Sequence, residues 1–187
     1  MMWLNSGALI DSLALPEELA RGKVTLLDVG WALAHINRWT GHANPAISVG
    51  WHTLVCAEAA MFRSPLLGLL ALHHDDGEAF FGDMARDLKC HPEMGWYREQ
   101  EHRATQACVD YFAPACRGIN LQSIKEFDTG SLLWERDYVL RGDKVDADWH
   151  PEVEVVVPSD SLMRVLSDPE SVFARWVDTH DRLTRRV

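Results

Sequence analysis

The chain has 187 residues, 47% of them hydrophobic, and a formal net charge of −10, enough bulk for one domain with a real core. That acidity argues against a nucleic-acid groove, which needs clustered Lys and Arg. It leaves a nucleotide open, because a metal and a few local cations neutralise a phosphate.

In chain order the pattern reads almost wholly as helix. Val29, Ala32, Leu33 and Ile36 follow the candidate cap Asp28 at i, i+3, i+4 and i+7. Trp39 to Ser48, with Gly41, Asn44 and Pro45, reads as a loop. Ser48 then caps a helix carrying His52, Val55, Cys56 and Ala59. Residues 39–57 carry no Asp, Glu, Lys or Arg, but His42, Asn44, Pro45 and His52 make them too polar to span a bilayer. Ser64-Pro65 opens the next helix, and the apolar run Leu66 to Leu72 predicts a buried central one.

Pro92 opens a polar-faced helix whose inner edge is Tyr97, Ala104, Cys108 and Tyr111. Ile124, Phe127, Asp128, Ser131 and Leu132 follow Ser123 at helical spacing. Gly142, His150-Pro151 and the run Val153 to Val157 break the pattern as a short strand or an extended loop. Ser167-Asp168-Pro169-Glu170 starts a last helix with Val172, Phe173, Trp176 and Val177. No repeat or linker interrupts the chain, so 1–187 reads as a single domain. The cysteines Cys56, Cys90, Cys108 and Cys116 lack Cys-x-x-Cys spacing and read as buried small hydrophobes in a reducing cytosol. The N-terminus meets Asp11 early and lacks a basic region, unlike a signal peptide. A soluble, cytoplasmic protein is expected.

The chemistry centres on His74-Asp75, inside Leu72-His73-His74-Asp75-Asp76-Gly77-Glu78. An adjacent imidazole and carboxylate bind one divalent cation if the chain turns there. Another His and a distant carboxylate would complete a mixed nitrogen and oxygen site, suited to Mn, Fe, Co, Ni or Zn over Ca or Mg. Asp128 lies on the Ile124, Phe127, Leu132 stripe, so its carboxylate faces the core. Such a group is paired, used as a cap, or given to a metal. His52 lies on the inner edge of its helix, a place for a core histidine or a ligand. Neighbours on a helix point about 100° apart, so only one of His73 and His74 faces a cation.

These residues resemble the HD-domain metal-dependent phosphohydrolases, in the branch of the 5'-deoxynucleotidases and phage deoxynucleoside triphosphatases. The resemblance runs from Asp28 to Tyr138. It rests on Arg38-Trp39, on Ser48-Val49-x-x-His52, and on Leu72-x-His74-Asp75-x-x-Glu78-Ala79-Phe80-x-Gly82-Asp83-x-x-Arg86-x-Leu88-Lys89, with Asp128 in the place of the last ligand. It implies an all-α helical bundle with a central metal site.

The resemblance also implies roles. His52, His74, Asp75 and Asp128 would hold one divalent transition metal (Co, Mn or Zn), with Mg²⁺ on a polyphosphate tail, and the register selects His74 over His73. Glu78 would position or deprotonate the attacking water, and Arg38 would clamp phosphate with its guanidinium fork. Trp39 would pack on the nucleoside, Asp83 would accept from the 3'-hydroxyl, and Lys89 would add a second phosphate contact. Arg86 and His42 fit structure or solvent instead.

The implied reaction is attack on the α-phosphorus of a deoxynucleoside triphosphate, dATP in the phage form, releasing deoxynucleoside and triphosphate. A 5'-deoxynucleotidase acting on monophosphates is the alternative, and a noncatalytic nucleotide sensor the reading of another class. The resemblance further implies a homo-oligomer in the cytoplasm, the host's if phage-encoded, with no nucleic-acid or membrane partner. Two departures stand out. Asp76-Gly77 replace small residues after the His-Asp pair, and Asp87 replaces a proline near the base pocket, so base preference does not transfer.

Overall fold

A computed structural model describes residues 1–140 and 152–187. Its described residues form ten α-helices and one two-stranded ribbon, the all-α class that the periodicity predicts. The ribbon pairs β1 (Met2–Trp3) antiparallel to β2 (Leu9–Ile10), with Met2 opposite Ile10. Helices α1 (Leu15–Ala20), α2 (Leu26–His35), α3 (Val49–Met61) and α4 (Pro65–Leu72) follow. The short α5 (Glu78–Phe81) and α6 (Arg86–Lys89) lead to the long α7 (Gly95–Phe112). Then come α8 (Lys125–Val139), α9 (Asp160–Met163) and α10 (Pro169–Thr184). None of the described helices is long and apolar enough to cross a membrane.

Caps fix most of these boundaries. Ser48 accepts from the Trp51 N–H to start α3, Ser64 from Leu66 to start α4, and Asp168 from Ser171 to start α10. The α2 cap is a correction. Thr25, not Asp28, is the N-cap; Asp28 sits at the third helical position and reaches back to Thr25 in a capping box. Pro92 opens a 3-10 turn (Pro92–Met94), and the α-helix proper begins at Gly95.

Helix α3 is the axis of the fold. It is buried from Val49 through Ala57 and packs on α2, α4, α8 and α10. Such a helix needs no amphipathic stripe, because every face meets another element. Gly68 lets α4 approach closely, since a Cβ there would lie 2.7 Å from Met61 Cβ. Trp51 and Trp176 are wholly buried, and each satisfies its indole N–H: Trp51 on the Leu162 carbonyl at 3.0 Å, Trp176 on Thr53 Oγ1 at 3.2 Å.

Two expectations need adjustment, and one open alternative is decided. Tyr111 is 48% exposed and is not on the inner edge of α7, whereas Ala104 and Cys108 are buried there. Cys90 is exposed, unlike Cys56, Cys108 and Cys116. Val153 to Val157 form an extended loop whose Val156 N–H donates to the Gly130 carbonyl at 3.1 Å. Gly142 and His150-Pro151 lie outside the described residues.

Candidate metal centre

Three helices converge on one buried point. The α3 helix presents His52 and, one turn later, Cys56. The α4 helix stops at Leu72, and the following turn swings His74 and Asp75 toward α3. The α8 helix brings Asp128, Ser131 and Glu135 along one buried stripe. His52 Nε2 lies 3.2 Å from Asp128 Oδ1 and 3.9 Å from Asp75 Oδ2. His74 Nε2 lies 3.3 Å from Asp75 Oδ2 and 3.8 Å from Asp128 Oδ1. All four separations are shorter than twice the roughly 2.1 Å of a transition-metal bond to nitrogen or oxygen, so donors this close can share one cation.

The protons are arranged for ligation. His74 Nδ1 donates to the Ala71 carbonyl at 2.7 Å. His52 Nδ1 donates to Glu135 Oε1 at 2.6 Å. Glu135 can only accept: burial opposes its charge, but Arg38 and His52 hold its pKa at about 2. Both Nε2 lone pairs therefore face the carboxylates, which is repulsive unless a proton or a cation lies between. His74 Nε2 is buried and has no hydrogen-bond partner among the described residues. Burial alone would lower the His74 pKa, but Asp75 and Asp128 outweigh it and lift it to about 9.

Cys56 adds a donor that the sequence reading placed in the core. Its Sγ lies 3.6 Å from His52 Nε2, and the buried group His52, Cys56 and His74 could hold a metal ion. Asp128 divides its oxygens, with Oδ2 taking Lys125 Nζ at 2.5 Å and Oδ1 facing the histidines.

Around this point lie the other expected residues. Arg38 is buried at the C-terminal side of α2; its Nε donates to Glu135 Oε2 at 3.0 Å and its Nη1 faces Asp75 at 3.8 Å. Trp39 adopts φ +57°, rare for a bulky residue, and its indole N–H donates to the same Glu135 oxygen at 3.1 Å. Glu78 opens α5 and is buried; Oε1 lies 3.5 Å from Lys89 Nζ, while Oε2 has no hydrogen-bond partner among the described residues. Burial, then Asp75 and Asp83, raise the Glu78 pKa well above the usual range. Lys89 also donates to Glu101 Oε1 at 2.6 Å. Burial raises the Asp83 pKa, against the pull of Arg38, and the Trp39 backbone N–H bonds it. A Cβ at Gly77 would lie 2.5 Å from Thr105 Oγ1, so this glycine lets the turn seat against α7.

Sequence reasoning missed Glu135, Cys56 and the pairing of His73. His73 turns away from the centre, its Nδ1 2.6 Å from Asp76 Oδ2 and its Nε2 2.9 Å from His180 Nδ1. Arg86 and His42 are exposed. Two open surface clefts of about 430 and 460 Å³, one beside Leu19 and Tyr111 and one beside Phe62 and Arg63, share none of these site side chains. No family model matches the chain, and no curated protein matches it.

Proposed function

We propose that the chain is a metal-dependent HD-type phosphohydrolase acting on deoxynucleotides, specifically a deoxynucleoside triphosphate triphosphohydrolase. One observation carries the reading: His52, His74, Asp75 and Asp128 bring four donor atoms from three elements to one buried point, with Glu78 and Arg38 beside it. The charge balance supports it. Asp75, Glu78, Asp83, Glu101, Asp128 and Glu135 surround Arg38, Lys89 and Lys125, and such a carboxylate excess repels a phosphate until a cation is bound.

His52, His74, Asp75 and Asp128 would hold the cation, and Cys56 is close enough to add sulfur to the set. A bound transition metal supplies a lowered water pKa and charge neutralisation at the phosphoryl oxygens. The protein's own groups do the rest. Glu78, whose buried Oε2 has no hydrogen-bond partner among the described residues, would accept a proton from the attacking water. Arg38, held through Nε by Glu135 with Nη1 facing Asp75, would clamp phosphate once a cation neutralises Asp75. Lys89, bonded to Glu101 and near Glu78, offsets charge on the same side. Glu135 fixes the Trp39 ring, proposed to face the sugar, and Asp83 would accept from the 3'-hydroxyl.

The test is release of products from each dNTP, dNMP and rNTP, with and without Co²⁺ or Mn²⁺. Tripolyphosphate from dNTPs supports the proposal. Orthophosphate from dNMPs alone makes the protein a 5'-deoxynucleotidase. Binding without turnover makes it a noncatalytic sensor. The homo-oligomer implied by the resemblance belongs to the same proposal, and sedimentation measures it.

A further inference from the structure

Behind the metal turn runs a second buried polar chain that the proposed reaction does not use. Asp76, His73 and His180 are 0%, 0% and 8% exposed. Asp76 Oδ2 accepts from His73 Nδ1 at 2.6 Å, and His73 Nε2 accepts from His180 Nδ1 at 2.9 Å. Thr184 Oγ1 lies 3.5 Å from His180 Nε2. In this arrangement every donor points the same way, from the end of α10 toward Asp76. Burial and the neighbouring His73 hold the His180 pKa down to about 4, in agreement with a neutral ring.

Three buried polar side chains are a costly way to fill a core. Leucines of similar bulk would pack there without the desolvation cost, and a buried network is worth that cost chiefly when it fixes one arrangement. What this one fixes is specific. His73 and Asp76 flank the His74-Asp75 pair on both sides, and their mutual bond closes the turn that aims it. The anchor outside the turn is α10, itself held to α3 by the Trp176 bond to Thr53 and to α2 by the seat of Trp176 on Gly30. The His73 ring also meets Trp176 edge to face at 5.1 Å.

We infer that the Asp76–His73–His180 chain is a positioning device through which α10 holds the His74-Asp75 turn in its cation-binding geometry. It also accounts for Asp76, the departure from the resembling pattern, as the acceptor that His73 requires. The inference rests on the metal reading above, and its readout is binding of cation rather than turnover.

The test titrates the chelator-stripped full chain with Co²⁺ alone by calorimetry, and follows thermal unfolding of the same samples without metal. His180→Leu removes the donor to His73 and should weaken Co²⁺ binding about tenfold or more, the loss typical of groups that orient ligands. His180→Asn keeps an N–H near Nδ1 and should restore affinity to within a few-fold. Asp76→Ala should match His180→Leu and reports on the same chain without touching α10. A role in packing alone would shift the unfolding temperature and leave Co²⁺ affinity unmoved. Wild-type affinity in both His180→Leu and Asp76→Ala, or no rescue by His180→Asn, overturns the inference and spares the metal reading. Absence of Co²⁺ binding by the wild type overturns both.

Discussion

His52 and Glu135, 83 residues apart, share a hydrogen bond of 2.6 Å inside the core. Through its other oxygen Glu135 also holds Arg38 and Trp39. One carboxylate thus orients a candidate ligand, a candidate phosphate clamp and a candidate sugar contact. Glu135→Ala would leave the Arg38 guanidinium and the His52 N–H in the core without that partner. The expected loss is about 3–5 kcal/mol of stability, as for other broken buried pairs. Glu135→Gln keeps an acceptor and should lose less. Urea unfolding midpoints at constant slope measure both, and a Glu135→Ala midpoint equal to wild type would show that the bond network is not formed.

Metal retention follows from the convergence at His74 and Asp128. His74→Ala and Asp128→Ala should each abolish retention of a stoichiometric transition metal and the rise in unfolding temperature that added metal gives the wild type, because a ligand bound only by the folded state adds to its stability. Elemental analysis after desalting reads the first effect and a thermal melt the second. Undiminished metal in both variants refutes the ligand set.

The inward carboxylate of Asp128 was legible because Ile124 and Phe127 lie on the buried stripe around it, although Leu132, expected there too, is only half-buried and Leu133 takes the core place. The same stripe runs on through Ser131 to Glu135, and extending it by one more turn would have found Glu135. Cys56 sits one turn beyond His52 on the same helix face, so spacing alone made it a donor candidate, and composition masked it as a core residue. The His73 to His180 contact spans 107 positions and leaves no local trace in α10, where His180 lies in an ordinary amphipathic pattern. The α2 cap lies three residues before Asp28, which carries the carboxylate of the capping box and so mimics the cap itself.

Stability should fall in acid through His180. Its folded pKa of about 4 is below the 6.5 of the unfolded residue, set by burial and His73 against the opposite pull of Asp181. The unfolded chain therefore binds this proton first, and stability declines as pH drops from about 6.5 toward 4, by up to about 3 kcal/mol. His180→Asn lacks that proton, so its stability should depend less steeply on pH over the same window. Parallel slopes for the two proteins in urea unfolding between pH 7 and 4.5 would refute a neutral buried His180.

Glu78 separates chemistry from binding. It lies beside the centre without belonging to the proposed ligand set, so Glu78→Gln should retain metal and nucleotide affinity yet lose about a hundredfold or more in kcat, the usual scale for a positioned acid or base. Single-turnover kinetics with bound Co²⁺ measure it. Turnover within a few-fold of wild type would transfer the proton role elsewhere.

Sugar selectivity is the joint claim of Trp39 and Asp83. Trp39 is held at φ +57° with its indole N–H on Glu135, a strained placement of the kind that gathers at binding sites. With the ring fixed, its face has no freedom to retreat from a 2'-hydroxyl, so deoxynucleotides should be preferred over ribonucleotides. Asp83 should reward a free 3'-hydroxyl, making 2',3'-dideoxynucleotides poor substrates by about ten- to hundredfold, the worth of a hydrogen bond to a charged group. Trp39→Ala should lower the deoxy-to-ribo ratio of kcat/KM. Trp39→Phe keeps an aromatic face while losing the bond to Glu135, and should hold the ratio nearer to wild type at some cost in stability. If Trp39→Ala destabilises the protein and leaves the ratio unchanged, the indole is a structural anchor for the Arg38 loop and has no place against the sugar.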